Sequence, residues 1–434
     1  MPRWLETTDP DFAQSFAAIV QDRRETPDDV ADVVRSILAD VRARGDDAVF
    51  DYTARFDRIA LSPETVRVSD AEIAAAVDAC PADTRDALAL AAARIRAFHS
   101  QLRPGDHETT DDLGVRAGVR WTPIEAVGLY VPGGRAAYPS SVLMNAIPAI
   151  VAGVSRLAMT VPAPDGLLNP LVLAAAQLAG VQEIYRIGGA QAIAALAFGT
   201  RTIPAVDKIV GPGNAYVAEA KRQVFGVVGI DMVAGPSEIL VLADARNDPA
   251  HIAADLLSQA EHDPVAQAIL VTDDAGFGRA VMAKVKAHLA RWPDDSSARQ
   301  SWERYGVVIV VRDLAEAVPL IDALAAEHLE LAIAEPEELR LQIRHAGSIF
   351  LGRHTPEAIG DYLGGPNHVL PTGRRARFAS GLSVSDFMKR TTYLECPPAA
   401  LATLGPATVT LAQAEGLPAH ALSVSLRRNS VLPD

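Results

Sequence analysis

Ala126-Val-Gly-Leu-Tyr-Val131, followed at once by Pro132-Gly-Gly-Arg135, decides the fold class. The run is short, apolar and β-prone, and it stops at a glycine-rich turn. A helix of this burial would be longer, so the run reads as a buried strand feeding a helix through a tight turn. The unit repeats downstream at Leu157–Val161, Glu183–Ile187, Lys208–Val210 and Gly229–Val233, with helical segments such as Leu171–Ala179 and Ala190–Phe198 between. It restarts with Ile239–Leu242, Ala268–Thr272, Gly306–Val311 and Ser348–Leu351. Strands that alternate with helices through short links make parallel sheets covered on both faces. Two successive sets predict two doubly wound α/β domains.

Upstream the chain is mostly helical. Val30, Val33, Val34, Ile37, Leu38 and Val41 form one apolar stripe in Asp28–Arg44, and Gly45 is placed to end it. Ser69 opens a second helix, and Thr84 to His99 reads as a third. These helices could pack on either set. After Gly381 no further strand is expected. Leu401 to Glu415 and Pro418 to Leu426 read as two helices of a small C-terminal piece.

The chain has 434 residues, 49% hydrophobic and 22% charged, which is ordinary for a globular protein with more than one core. A net charge of -14 argues against a nucleic-acid surface. The N-terminus lacks an apolar core segment of the signal-peptide kind, and no run is long and apolar enough for a membrane span. A cytoplasmic location is expected. The 2 cysteines, Cys80 and Cys396, have no CxxC spacing, so any metal must be held by His, Asp, Glu and amide groups.

Three glycine clusters each end a predicted strand and open a helix: Val131-Pro-Gly-Gly-Arg135, Ile187-Gly-Gly-Ala-Gln191 and Val210-Gly-Pro-Gly-Asn214. None is GxGxxG, so the standard dinucleotide fingerprint is missing. Tight turns are the plain alternative for any one of them. Three in successive units make a binding rim, where backbone amides and helix N-termini favour anionic groups.

The second set carries titratable groups. Ser258-Gln259-Ala-Glu-His262-Asp-Pro264 ends a helix that begins near Pro249, and Gln259 and His262 share one face of it. Pro264 places the pair at the helix end. Glu327-His328 ends the segment Leu320–His328 and is expected at another helix end, with two groups able to move protons. Gly360-Asp361-Tyr-Leu-Gly-Gly-Pro-Asn-His368 is a loop with one carboxylate and one imidazole, and Glu415-Gly-Leu-Pro-Ala-His420 joins the two last helices. Each segment alone has a solvated helix end or a turn as its plain alternative. The remaining histidines, His99, His107, His251, His288, His345 and His354, read as surface. Gln259, His262, Asp361 and His420 together would make a nitrogen and oxygen set suited to zinc or manganese.

With these segments in view, the chain resembles the histidinol dehydrogenases. The matching stretches are Gly188–Gly199, Val210–Tyr216, Ala234-Gly-Pro-Ser-Glu238, Gln259–Pro264, Glu327-His-Leu-Glu-Leu331, Gly360–Pro371, Arg377–Ser383 and Glu415–His420. The resemblance implies oxidation of L-histidinol to L-histidine through histidinal, with two NAD reduced, at the end of L-histidine biosynthesis. It implies one zinc per subunit on Gln259, His262, Asp361 and His420, with manganese a possible substitute. His328 would be the base for the alcohol proton and Glu327 the group that activates water. Ser237, His368 and Glu415 would contact substrate alongside the metal residues and His328. Tyr130, Gln191 and Asn214 would lie at NAD. The family fold implied is two incomplete Rossmann-like domains, aldehyde-dehydrogenase-like, with small helical terminal pieces. The division expected is 1–25 as an N-terminal piece, 26–129 with 237–381 as the metal and substrate domain, 130–236 as the NAD domain, and 382–434 as a C-terminal dimerisation piece. A homodimer with shared active sites follows from the same resemblance. Neither cysteine falls in a site motif, so the aldehyde step should use a hydrate rather than a thiohemiacetal. The alternatives are an NAD-dependent dehydrogenase of another small alcohol, such as a sulfonated diol, a metal-dependent hydrolase, and a non-catalytic metal-binding protein.

Overall fold

A computed structural model describes residues 2–22, 29–133 and 138–429. Gly134 and Arg135 of the first glycine cluster lie outside the described residues. In chain order the strands are β1 (Arg3–Glu6), β2 (His107–Thr110), β3 (Arg116–Pro123), β4 (Ala126–Tyr130), β5 (Arg156–Thr160), β6 (Glu183–Tyr185), β7 (Lys208–Val210), β8 (Gly229–Ile230), β9 (Glu238–Ala243), β10 (Gln267–Thr272), β11 (Val307–Val310), β12 (His328–Ala332), β13 (Ser348–Leu351) and β14 (Met388–Glu395).

Two compact units form. The first takes the chain up to Leu102 and Ile124–Asp386; the second takes Arg103–Pro123 and the chain from Phe387. The first unit holds two sheets, in which every pairing is parallel. One runs β6-β5-β4-β7-β8 and the other β1-β11-β10-β9-β12-β13. With β1 set aside, both have the same winding: the first strand is central, two follow on one side and two on the other. That is the doubly wound order short of its last strand, as the alternation predicted.

The sequence pattern explains the burial. The strands of the larger sheet are buried along their whole length at β9, β10 and β12, as parallel strands under helices must be. Leu240, Leu242, Leu329 and Leu331 face one core, while Ile239, Val241 and Ala332 face the other, against the helix Pro249–Ala260. The upstream helices pack on the smaller sheet's side. Asp29–Arg44 lies against Gly189–Phe198 and Ala215–Val224, and Ala82–Ser100 against Pro139–Ala152 and Pro170–Ala179. Ser69 caps its helix with a full capping box to Glu72.

Five strands depart from the sequence expectation, and β2 and β3 lie in the upstream stretch that reads as mostly helical. β1 adds to the larger sheet beside β11, and β12 is discussed below. The strands do not cease after Gly381: β14 pairs antiparallel with β3, which pairs antiparallel with β2. β14 is exposed along nearly all its length, so it lacks the apolar run that marks a strand. Its partner lies far away in sequence, a pairing that no local pattern reports. The second unit is therefore a three-stranded sheet with the helices Pro398–Ala414 and Pro418–Asn429, not helices alone.

Candidate active site

The helix Pro249–Ala260 starts with Asp248 accepting from the Ala250 N–H and proline at its first position. Its buried face carries Ile252, Ala253, Leu256 and Leu257 into the core, so Gln259 in the last turn is fixed and fully buried. The Gln259 amide oxygen is buried with no hydrogen-bond donor among the described residues. His262 follows one turn on, with its Nδ1 3.3 Å from Gln259 Nε2. It is exposed at the rim, yet enough protein surrounds the imidazole to hold its pKa below the usual range.

Glu327 and His328 do not end a helix. The helix Ala317–Leu324 stops at Ala325, whose φ of +42° is left-handed, and His328 begins β12. The alternation through Leu329 and Leu331 belongs to a strand, and the preceding helix had masked it. β12 is central, between β9 and β13, with His328 opposite Ile239 and Ser348. Glu238 is thus brought beside both side chains. Its N–H donates to Glu327 Oε2 at 3.0 Å, and its carbonyl lies 3.1 Å from His328 Nδ1.

A carbonyl only accepts, so this network assigns the proton to Nδ1 and leaves Nε2 as the bare nitrogen. His328 Nε2 is buried without a hydrogen-bond partner among the described residues, 3.6 Å from Glu357 Oε1 and 3.9 Å from Asp361 Oδ1. Burial pushes the imidazole pKa down to about 3, with the His262 and His368 rings adding to the fall. The ring is therefore neutral, with a free lone pair.

Asp361 sits in the short helix Glu357–Tyr362, and burial pushes its carboxyl up to about 7. His368 is held at both nitrogens, Nδ1 3.1 Å from the Asp361 carbonyl and Nε2 3.3 Å from Ser141 Oγ. Its pKa is lowered to about 4 by burial. A cleft of about 280 Å³, bounded by His328, Phe350, Asp361, Asn367 and His368 among others, opens onto this cluster.

Sequence reasoning missed Glu357. It is 1% exposed, its Oε2 accepts from Ser258 Oγ at 3.3 Å, and its N–H donates to Glu330 Oε1 at 2.6 Å. The signal available was Glu357 and Asp361 four apart, one face of a helical turn. Glu330 and Glu357 are both raised well above the usual carboxylate range, first by burial and then by neighbouring carboxylates. His328, Glu357 and Asp361 present ligand atoms within 4.8 Å of one another. Buried acids that repel one another, beside an amide oxygen with no donor, fit a bound cation.

The other expected residues lie as follows. Ser237 is half-buried just before β9, its carbonyl accepting from the Gln267 N–H. Tyr130 and Gln191 are buried on the smaller sheet's side; the Tyr130 hydroxyl accepts from the Gly189 N–H at 3.1 Å, and the Gln191 amide oxygen has no hydrogen-bond partner among the described residues. Asn214 is exposed and caps its helix by accepting from the Val217 N–H. Gly211 must be glycine: its φ is +111°, and a Cβ there would lie 2.1 Å from the Tyr130 carbonyl oxygen. Glu415 and His420 belong to the second unit, at the end of one helix and the start of the next, both exposed. His99, expected at the surface, is buried at 1% exposure, and its pKa falls to about 4 for that reason.

The dyad stands at the N-terminal edge of its sheet, whereas ligands of open α/β sheets usually bind at carboxyl ends. The glycine turns of the smaller sheet do lie at carboxyl ends, after Tyr130, Tyr185 and Val210. Ser141, in the helix that follows β4, lies 3.3 Å from His368 Nε2, so that helix reaches the cluster.

The sequence model of the histidinol dehydrogenase family matches residues 20–428. The chain is similar to histidinol dehydrogenase of Gluconobacter oxydans (61% identical over 423 residues, 98% of each chain). It is similar to that of Rhodospirillum rubrum (62% over 430 residues, 99% of each). Among solved structures, it resembles histidinol dehydrogenase from Elizabethkingia anophelis, 37% identical, with a TM-score of 0.93 over 98% of each chain.

Proposed function

The chain belongs to the histidinol dehydrogenase family of oxidoreductases of histidine biosynthesis, and on that premise we propose that it oxidises L-histidinol to L-histidine in the cleft at β12. The overall change is histidinol, two NAD⁺ and one water to histidine, two NADH and three protons. NAD supplies the hydride acceptor at each step, and a divalent cation would supply Lewis acidity and a fixed point for the substrate nitrogens. Gln259, His262 and Asp361 would hold that cation, with His420 of a second copy as the fourth ligand; zinc is the proposed ion. A cation there would explain why an amide oxygen is buried without a donor. Ser237, His368 and Glu415 are proposed to orient the substrate, and Tyr130, Gln191 and Asn214 to line the NAD rim.

The observation that carries the reading is the bare, buried His328 Nε2 facing Glu357 and Asp361, on a ring whose Nδ1 lies 3.7 Å from Glu327 Oε2. His328 takes the alcohol proton at Nε2 as hydride leaves the carbinol carbon. Glu327 takes a proton from water as its oxygen adds to the aldehyde carbon, and His328 Nε2 then takes the remaining hydroxyl proton of the hydrate as the second hydride leaves to the second NAD⁺. The family membership favours this over an enzyme for a sulfonated diol.

Glu327→Gln tests the assignment, assayed separately with histidinol and histidinal. The alcohol step should persist, while histidine formation falls by at least about 100-fold. Histidine formation at the unaltered rate would remove Glu327 from the mechanism.

A further inference from the structure

We infer that the turn Thr372–Arg375 is a positioning device for the reacting side chains, working through the main chain of Ser237 and Glu238. Arg374 is 2% exposed and Glu238 1% exposed. Arg374 Nη1 lies 3.2 Å from Glu238 Oε1, and its Nη2 donates to Gln267 Oε1 at 2.6 Å and to the Ile19 carbonyl at 3.4 Å. The same turn reaches the segment a second time: the Gly235 N–H donates to Thr372 Oγ1 at 2.5 Å. Gln267 closes the loop, its own N–H donating to the Ser237 carbonyl at 3.0 Å.

Stability alone gives a poor reason for this arrangement. Two buried charges are expensive to desolvate, and apolar groups of the same volume commonly serve a core as well. The backbone is also strained. Gly373 and Arg374 are consecutive left-handed residues, at φ +62° and +64°, and only one is glycine. Arginine's planar fork adds direction, because one guanidinium meets a carboxylate, an amide oxygen and a carbonyl together. The carboxylate is that of Glu238, whose N–H and carbonyl grip Glu327 and His328. Thr372 fixes the approach to Ser237 two residues upstream, where a Cβ on Gly235 would already meet Thr372 Oγ1 at 3.2 Å. One turn therefore sets the position of the dyad and of the segment beside it, although it touches neither reacting group.

The inference rests on reading Glu327 and His328 as the reacting groups. The test uses the metal-loaded, full-length enzyme. Thr372→Val removes one hydrogen bond at constant shape, and Glu238→Gln with Arg374→Gln replaces the ion pair by amides. Each variant is assayed with histidinol and with histidinal, alongside melting temperature, metal content and the KM for NAD. The expected result is a kcat about 10- to 100-fold lower, the scale of a small misplacement of catalytic groups. The aldehyde step should fall further than the alcohol step, since it needs both Glu327 and His328 in place. Metal content and the KM for NAD should hold. An unchanged kcat in folded protein overturns the inference, and so does an equal fall with both substrates, which marks lost active fraction rather than lost geometry. If the amide pair does not fold, Thr372→Val still decides. Glu327→Gln separates the two levels. If it stalls the aldehyde step while Thr372→Val does nothing, only this inference falls; if it stalls nothing, both fall.

Discussion

Lys221→Met should be among the more damaging single changes away from the dyad. Lys221 is 1% exposed, and its Nζ donates to the Gly211 carbonyl at 2.9 Å while pairing with Asp231. Asp231 in turn accepts from the Gly211 N–H at 2.8 Å and the Met232 N–H at 2.6 Å. Both polar groups of Gly211 are thus bound by one buried ion pair. Removing the cation strands a buried carboxylate, a loss of about 3–5 kcal/mol in comparable pairs. The two N–H donors that Asp231 keeps pull the figure to the lower end, about 3 kcal/mol. At about 2–4 °C per kcal/mol for a domain of a couple of hundred residues, the melting temperature should fall by about 6–12 °C. The KM for NAD should rise, because the Gly211 turn leads to Asn214, and the KM for histidinol should not. The assay is thermal melting of metal-loaded protein at fixed concentration, with steady-state kinetics beside it. Adding Asp231→Asn should recover part of the loss, since no unpaired charge then remains. A melting temperature unchanged in Lys221→Met, or a double variant less stable than the single one, would refute the reasoning.

Gly211→Ala forces a left-handed alanine whose Cβ overlaps the Tyr130 carbonyl; a loss of about 2 kcal/mol or more and weaker NAD binding should follow, read by melting and NAD titration. Asp361→Asn tests the buried carboxyl in metal-free protein. Burial raises its folded pKa from 3.8 to about 7, so ionising it costs the folded state nothing below the unfolded pKa and the full amount above about 7. The variant should gain on the native protein through that window, by about 4 kcal/mol at most, in urea unfolding at about pH 4 and pH 8; equal gains at both would exclude the cause. Cys80, buried with its thiol on the Ala76 carbonyl, and exposed Cys396 lie outside the site cluster. Their double alanine variant should keep both oxidation steps, and losing the aldehyde step alone in folded protein would revive a thiol mechanism.

Much of the fold was legible because parallel strands under helices must be apolar and must end in turns. Ala126–Val131 and the runs after it met both conditions, so nearly every strand of the two doubly wound sheets could be read. The failures share a cause. β1 is four residues at the chain start, β2 and β14 are exposed, β3 is buried at a single residue, and β12 opens with His328 and carries Glu330. Each lacks the apolar signature, and each is a strand because of its neighbours. Gln259, His262, Asp361 and His368 could be named from local pattern, since turn chemistry and helix ends set them. Glu357 could not, because its importance comes from three elements that converge on it.

The misread strand is also what gives the site its geometry. As a helix end, Glu327-His328 would have been two side chains facing different ways with no fixed neighbour. As the entry to β12, the pair is governed by register. Leu329 and Leu331 must face one core and Ala332 the other, and a slip of one residue would exchange the faces. That same register sets His328 beside Ile239, which leaves Glu238 next to Glu327. It also turns His328 and Glu330 toward the face on which the helix Pro249–Ala260 packs, the helix that carries Asp255, Ser258 and Gln259. Hydrophobic burial at Leu329, Leu331, Leu240 and Leu242 therefore positions His328, the Glu238 carbonyl at its Nδ1 and the Gln259 amide together. A substitution in that core, such as Leu331→Ala, should then reduce both oxidation steps without touching any polar group of the site.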